Sequence, residues 1–369
     1  MNGEASVMLA AGGTGGHLFP AFALAEALGK RGIVVDLVTD TRGDRYGTGF
    51  PARNVYQVPS GTGGNAIKAA FAVVQLSRGV AAAHKLLGEV RPKAVLGFGG
   101  YPTFPPLLAA KLRAIPTAVH EQNAILGRAN KMLAGRVDAI ATSFAATKLI
   151  DGPLLGKVHH TGNPVRSIVI EAARRHYWRP EPSQPFNLLV FGGSQGARFF
   201  SECVPSALAL LPEAARARLR VTQQARQEDL AQVRAAYAAS GINAEVAAFF
   251  KDLPSRIGAS HLVIGRAGAS TVAELTVIGR PSILVPLPHS IDNDQLHNAA
   301  GLAESGGAWC IEQKDLTPRR LADDIAMLLA RPGMLATAAA AAKLQGRPDA
   351  VERLADLMES LMAKAKAKV

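Results

Sequence analysis

Short, unbroken apolar runs alternate along this chain with longer stretches whose apolar residues recur every three or four positions. In the first half the runs at 6–11, 33–39, 94–98, 116–120 and 137–141 read as buried strands. Those at 187–191, 219–223, 244–249, 261–264 and 282–285 repeat the scheme in the second half. The stretches 19–30, 67–87, 197–211, 227–239 and 269–278 read as the helices between them, and alanine-rich helices follow from about Pro332. Apolar runs separated by helices require parallel strands, buried on both faces and joined by right-handed crossovers.

Two of these runs end in a glycine turn. Gly12-Gly13-Thr14-Gly15-Gly16-His17 follows Val7–Ala11, and Gly192-Gly193-Ser194-Gln195-Gly196-Ala197 follows Leu188–Phe191. A strand feeding such a turn into a helix start presents backbone N–H groups and the positive end of a helix dipole to an anion. One turn in each half implies two similar halves, each able to hold a phosphorylated ligand. Gly162-Asn163-Pro164 marks the boundary, and the proline-rich tract 179–185 reads as an exposed loop before the second half. The expected architecture is α/β, with two doubly wound, Rossmann-like parallel-sheet domains facing across a cleft. They are expected at 1–163 and 164–344, with a C-terminal helix at about 345–369 packing back on the first.

Composition narrows the class. A length of 369 residues suits two domains, and 48% hydrophobic residues with 36 glycines suits a packed α/β protein rather than a disordered one. Cys203 and Cys310 are too few for a disulfide framework and have no metal-ligand spacing, so a reducing compartment is expected. The first residues lack the basic and apolar regions of a signal peptide, and no apolar run approaches the ~20 residues of a membrane span. The net charge of +12 favours an anionic partner. Nucleic acid is disfavoured, because aromatics are only 5% and the basic residues are scattered rather than clustered with stacking platforms.

Neither glycine turn has the dinucleotide spacing G-x-G-x-x-G, and no G-x-x-x-x-G-K-[ST] occurs. Polar groups nevertheless gather at expected strand ends. His17 falls in the first turn of the first helix. Tyr101 follows Gly99-Gly100, and His120-Glu121-Gln122-Asn123 follows the run ending at Val119. In the second half, Arg266–Glu274 follows the run ending at Ile264. Ser270 and Thr271 would lie in the first turn of the helix opened by Gly268, and Glu274 one turn further on. A carboxylate there can accept both hydroxyls of a ribose diol, or simply favour the helix start by its charge. The amides and carboxylates of 286–295 suit sugar hydroxyls.

These motifs, taken in order from about Met8 to about Ala300, resemble the MurG family of bacterial peptidoglycan N-acetylglucosaminyltransferases. The resemblance rests on Gly12–His17 with Phe19-Pro20-Ala21, Gly99-Gly100-Tyr101, His120–Asn123, Gly162–Arg166, Gly192–Ala197, Arg266–Glu274 and Asp292–Gln295. It implies a GT-B fold and an inverting transfer of N-acetylglucosamine from UDP-N-acetylglucosamine. The acceptor implied is the C4 hydroxyl of undecaprenyl-pyrophosphoryl-N-acetylmuramoyl-pentapeptide. No metal or other cofactor is implied, and the enzyme would sit peripherally on the cytoplasmic face of the bacterial inner membrane.

Residue roles carried by the resemblance are as follows. Ser194 and its loop would take a donor phosphate, Glu274 the ribose, and the Phe250 backbone the uracil edge. Ala269, Ser270 and Thr271 would stabilise the leaving diphosphate with Arg166, and Gln295, Asp294 and Asn123 would read the sugar. Thr14, Gly15 and Gly16 would cradle the acceptor pyrophosphate and also count among the donor contacts. Tyr101 and Asn130 would touch the acceptor. His17 is the leading general base, since imidazole suits that proton at neutral pH. Glu121 is the rival base, or it orients His17 or the acceptor. The chain departs from the family's habit at Ser201 (commonly Asn), Asp294 (often Gln or His) and Ala267 (often Ser).

Membrane contact is a separate expectation. Ile67, Phe71, Val74, Leu76 and Val80 mix with Lys68, Arg78 and Lys85, near Lys111 and Arg113. Such a set suits an anionic bilayer, or an ordinary helix packed on its sheet. Competing functions are a UDP-sugar epimerase, a glycolipid synthase of the same architecture and a non-catalytic scaffold.

Overall fold

In the computed structural model, residues 5–12, 15–40, 49–59, 66–193 and 198–366 are described, without the side chains of 66–73 and 366. Thr14, Ser194 and residues 367–369 lie outside them. The chain divides into two compact units. Unit 1 comprises residues up to Arg166 together with those from Pro348 onward, and unit 2 runs from Ser167 to Arg347.

Unit 1 is built on strands β1 (Ser6–Ala10), β2 (Val34–Thr39), β3 (Asn54–Gln57), β4 (Ala94–Gly97), β5 (Thr117–Glu121), β6 (Ala139–Thr142) and β7 (Val158–His160). They form one sheet in the order β3-β2-β1-β4-β5-β6-β7, every pair parallel. Alternation along each strand splits its side chains between two layers. Val7, Leu9 and Leu96 face helix α1 (Gly15–Lys30), while Met8, Val95, Val119 and Ile140 face the opposite layer. That layer comprises α2 (Ala66–Val90), α3 (Phe104–Leu112) and α4 (Arg128–Ala134).

Unit 2 opens with α5 (Ser167–Ala172). It then runs through β8 (Phe186–Phe191), α6 (Arg198–Ala209), α7 (Glu213–Arg218), β9 (Leu219–Gln224), α8 (Leu230–Ala239), β10 (Asn243–Ala247) and α9 (Leu253–Gly258). There follow β11 (Leu262–Gly265), α10 (Ala269–Ile278), β12 (Ser282–Leu284), α11 (Asp294–Glu304), β13 (Ala308–Cys310), α12 (Pro318–Ala330) and α13 (Pro332–Gln345). Its parallel sheet has the order β10-β9-β8-β11-β12-β13.

The last helix, α14 (Ala350–Lys366), belongs to unit 1, where Leu354, Ala355, Met358 and Leu361 are fully buried beside α1. Arg31 at the end of α1 donates to Asp356 at 2.7 Å and Glu359 at 3.0 Å and also pairs with Glu352. Burial of the apolar face dominates this docking, because exposed ion pairs contribute only about 0–1 kcal/mol each.

The ten strands read from the apolar runs are all present, displaced by at most two residues. Three more were not anticipated: β3, β7 and β13. Each closes or nearly closes a sheet edge and is three or four residues long, and β3 and β7 are largely solvated, so no apolar run announces them. Helices α3, α4, α5, α7, α9, α11 and α12 likewise lie outside the stretches read as helices. The first turn of α11 carries Asp294 and Gln295, two of the polar residues of 286–295.

In each sheet the strand order reverses about the first strand. The crevice at the carboxyl ends of the two strands flanking that reversal is where doubly wound sheets bind ligands. In unit 1 these are β1 and β4, and in unit 2 they are β8 and β11.

Candidate active-site residues in each unit

In unit 1 the turn after β1 brings Gly12 against Pro102, which follows β4. A Cβ at Gly12 would lie 2.5 Å from the Pro102 ring, so only glycine allows the two turns to meet. His17 stands in the first turn of α1, half-buried, with Nδ1 3.0 Å from the Gly12 carbonyl oxygen. A carbonyl accepts only, so Nδ1 carries the proton and Nε2 is the basic nitrogen. That Nε2 would be 3.2 Å from a Cβ on Gly99, whose φ of +92° is itself a glycine conformation. Gly99-Gly100 therefore makes room for the imidazole. Tyr101 follows, 47% exposed at the same sheet end.

The residues after β5 behave differently from the sequence expectation. His120 and Glu121 were read as rim groups, but both are buried, as is Asn130. The Glu121 carboxylate accepts from the backbone N–H of Asn123 at 3.0 Å, that of Gly127 at 2.8 Å and Asn130 Nδ2 at 2.8 Å. It ties the loop 122–130 to the strand. Burial raises its pKa, an effect those donors oppose. Asn130 Nδ2 also donates to the His120 carbonyl at 3.2 Å, so its amide hydrogens are committed inside the unit.

His120 is held from both sides. Gln122 Nε2 donates to the Phe98 carbonyl at 2.8 Å and reaches His120 Nδ1 at 3.1 Å. His120 Nε2–H donates in turn to the Gly162 carbonyl at 3.0 Å. Burial pushes its pKa down to about 4, so it stays neutral. This relay fixes the start of Gly162–Arg166, whose Arg166 guanidinium lies 4.2 Å above the Phe19 ring. Gln122 had no role in the sequence reading. Its only signal was its place between His120 and Asn123.

In unit 2, Gly193 after β8 has a φ of +86°, and the loop 194–197 lies outside the described residues. After β10, Phe249 is 66% exposed, while Phe250 is buried under the Arg256 guanidinium at 4.3 Å. After β11, Gly268 caps α10 in an extended conformation and no side chain caps the helix start. The amides of Ala269, Ser270 and Thr271 thus begin the helix without a side-chain acceptor, the arrangement that takes an anion. Ser270 Oγ is buried without a hydrogen-bond partner. Glu274, one turn on, is buried to 8% exposure.

Gln295, in the first turn of α11, uses its side-chain oxygen to accept from Ala267 N at 3.2 Å and Leu287 N at 3.0 Å. Asn298, one turn later, donates to the Ala267 carbonyl at 3.1 Å. Both backbone groups of Ala267 are therefore held by α11 whatever its side chain, so alanine serves there. With its oxygen engaged, Gln295 can offer a ligand only N–H groups. The i, i+3 spacing of Gln295 and Asn298 would have signalled this pairing had α11 been anticipated.

Arg266, also unassigned by the sequence, is buried. It donates to the carbonyls of Val285 and Pro286, each at 3.1 Å, and to Gln313 at 2.6 Å. Burial lowers its pKa to about 10. It joins the loop before α10 to the end of β12. Among the described residues no group of His, Cys, Asp and Glu could hold a metal ion.

Comparison with known proteins places this geometry. The glycosyltransferase family 28 N-terminal domain matches residues 7–142, and the family 28 C-terminal domain matches residues 187–354. The UDP-N-acetylglucosamine--N-acetylmuramyl-(pentapeptide) pyrophosphoryl-undecaprenol N-acetylglucosamine transferase of Rhizobium rhizogenes is 52% identical over 97% of this chain and 96% of its own length. The protein of the same name from Mesorhizobium japonicum is 53% identical, over 96% and 95%. The crystal structure of Acinetobacter baumannii MurG superposes with a TM-score of 0.80 at 29% identity, covering 96% of this chain and 99% of that one. A UDP-GlcNAc 2-epimerase from Neisseria meningitidis shares the fold at a TM-score of 0.69 and 12% identity, covering 96% and 100%. The two units thus have the Rossmann-like folds of GT-B enzymes, and the chain belongs to glycosyltransferase family 28 and, within it, to the N-acetylglucosamine transferase family of its rhizobial relatives.

Proposed function

We infer that this enzyme transfers N-acetylglucosamine from UDP-N-acetylglucosamine to the C4 hydroxyl of undecaprenyl-pyrophosphoryl-N-acetylmuramoyl-pentapeptide. The observation that carries the inference is full-length identity above 50% to transferases of that name. Radiolabel passing from the sugar nucleotide to the prenyl-pyrophosphate acceptor tests it. Release of free or epimerised sugar without transfer would overturn it in favour of an epimerase.

Unit 2 is the donor unit in this reading. The α10 amides, with Ser194 and Arg166, meet the UDP diphosphate, Glu274 takes the ribose hydroxyls, and the Phe250 backbone takes the uracil edge. Gln295 Nε2, with Asp294 and Asn123, contacts the sugar hydroxyls. As the C1–O bond to UDP breaks, negative charge builds on the diphosphate. Fixed N–H dipoles and Arg166 stabilise that charge without reorganising.

Unit 1 takes the acceptor. Thr14, Gly15 and Gly16 meet its pyrophosphate, and Tyr101 contacts it. His17 Nε2 accepts the C4 hydroxyl proton as that oxygen attacks C1 from the face opposite UDP, which inverts the configuration. What supports His17 over Glu121 is that the Glu121 carboxylate is buried and its oxygens are already engaged. Glu121 and Asn130 then shape the acceptor loop from within.

The same reading puts the enzyme peripherally on the cytoplasmic face of the inner membrane. Among the described residues no single helix is long and apolar enough to cross a bilayer. Helix α2 turns Ala83 and Leu87 into the core and leaves Val74 52% exposed, with Arg78 and Lys85 also exposed. The side chains of Ile67, Lys68 and Phe71 lie outside the described residues. Co-sedimentation with anionic liposomes at low salt is the expected result, and its absence would remove this placement.

A further inference from the structure

Phe19 stands on α1 one turn beyond Gly15, and the chemistry above gives it no part. Side chains on a helix lean toward its N-terminus, so the ring comes back over Gly15. A Cβ on Gly15 would lie 3.1 Å from Phe19 Cε2 and 3.2 Å from Cζ. Glycine at that position leaves the space the ring occupies.

The same ring carries the Arg166 guanidinium, whose central carbon is 4.2 Å from the ring centroid. This is well inside the roughly 6 Å over which a cation is attracted to an aromatic face. Both side chains are half-buried, which removes part of the water that would weaken that attraction. The backbone before Arg166 is fixed independently. Residues 161–165 are all buried, the Gly162 carbonyl accepts from His120 at 3.0 Å, and Pro164 sets its own φ. The ring then restrains what the backbone leaves free, the long arginine side chain. Attraction to a ring face uses none of the guanidinium N–H groups, which are the groups that meet phosphate oxygens. A cation held in this way before its ligand arrives loses less freedom on binding and stabilises developing charge without reorganising.

We propose that Phe19 is a positioning residue for the transfer: its ring holds the Arg166 guanidinium in the place where it meets the leaving diphosphate of the donor. The proposal deepens the donor reading above and rests on it, since that reading puts Arg166 on the diphosphate.

The test compares affinities of the full-length protein for UDP, by calorimetry, and for uridine, by competition against UDP. Only the first carries the diphosphate. Phe19→Leu should weaken UDP by about threefold to tenfold and leave uridine unchanged. It should raise KM for UDP-N-acetylglucosamine by a similar factor, with the parent's thermal unfolding profile. Phe19→Tyr, which keeps the ring, should bind UDP as the parent does. Arg166→Ala should lower the UDP-to-uridine ratio further, and adding Phe19→Leu to it should lower the ratio no more, because the ring then has no cation to hold. Should Phe19→Leu fail to fold, Phe19→Met is read in the same way. A parent-like ratio in Phe19→Leu, with a lowered one in Arg166→Ala, would overturn the proposal. So would a loss from Phe19→Leu that persists undiminished in the Arg166→Ala background. A parent-like ratio in Arg166→Ala would instead overturn the diphosphate role of Arg166, and the proposal with it.

Discussion

His17 Nδ1 lies 3.0 Å from the Gly12 carbonyl oxygen, so the turn that precedes α1 also sets the tautomer of the residue that begins it. The basic Nε2 is thereby fixed beside Gly99. For His17→Ala we expect kcat to fall by about 100-fold or more, the usual scale of general-base loss, with KM for UDP-N-acetylglucosamine changed only slightly. Steady-state kinetics with saturating acceptor checks this. Turnover equal to that of the parent enzyme would remove His17 as the base.

Glu121 is expected to act through the loop it holds. Glu121→Gln turns one accepting oxygen into a donor facing backbone N–H groups, so stability should fall by about 1–3 kcal/mol. The loss of activity should track that loss of stability and affect acceptor KM more than donor KM. A Glu121→Gln enzyme that melts normally yet has lost its turnover would instead identify Glu121 as the proton acceptor.

Glu274 should matter to nucleotide binding alone. Hydrogen bonds to a charged group contribute about 1.5–3 kcal/mol, so Glu274→Ala should weaken UDP by about tenfold or more in calorimetry. Deoxygenated ribose should erase the difference between parent and variant. If 2′-deoxy-UDP and 3′-deoxy-UDP both still discriminate the two proteins as UDP does, the ribose assignment fails.

Stability should depend on pH through two buried histidines, one in each unit. Burial pushes both His120 and His261 from 6.5 down to about 4. Between those values the unfolded chain binds the proton and the folded chain does not. Their contribution is therefore complete above pH 6.5 and is lost as pH falls toward 4. The slope approaches about 1.4 kcal/mol per pH unit for each histidine. Urea unfolding at several pH values measures it. His261→Gln should flatten the slope for unit 2 and His120→Gln for unit 1, and slopes unchanged by either substitution would exclude this source.

Much of the fold was legible because its central strands are buried on both faces and therefore read as continuous apolar runs. Strands β3 and β7 were not, since a half-solvated edge of three or four residues leaves no such run. The site divides in the same way. Gly12 and Gly99 could be found because each stands where a strand turns toward a helix and a side chain would intrude or strain. The burial of Glu121 could not, because a carboxylate after a strand looks the same in sequence whether it faces water or accepts from its own loop.

The order of residues alone establishes the alternation of apolar runs and helices, the glycine turns at equivalent strand ends and the ordered motifs of one transferase family. These are local properties, set by side-chain periodicity and backbone conformation. Which polar residues serve the fold and which remain for chemistry depends on packing between distant segments. Hydrogen bonds such as Gln122 to Phe98, His120 to Gly162 and Gln295 to Ala267 join residues separated by up to 42 positions, and they exist only once the sheet has brought neighbouring strand ends together.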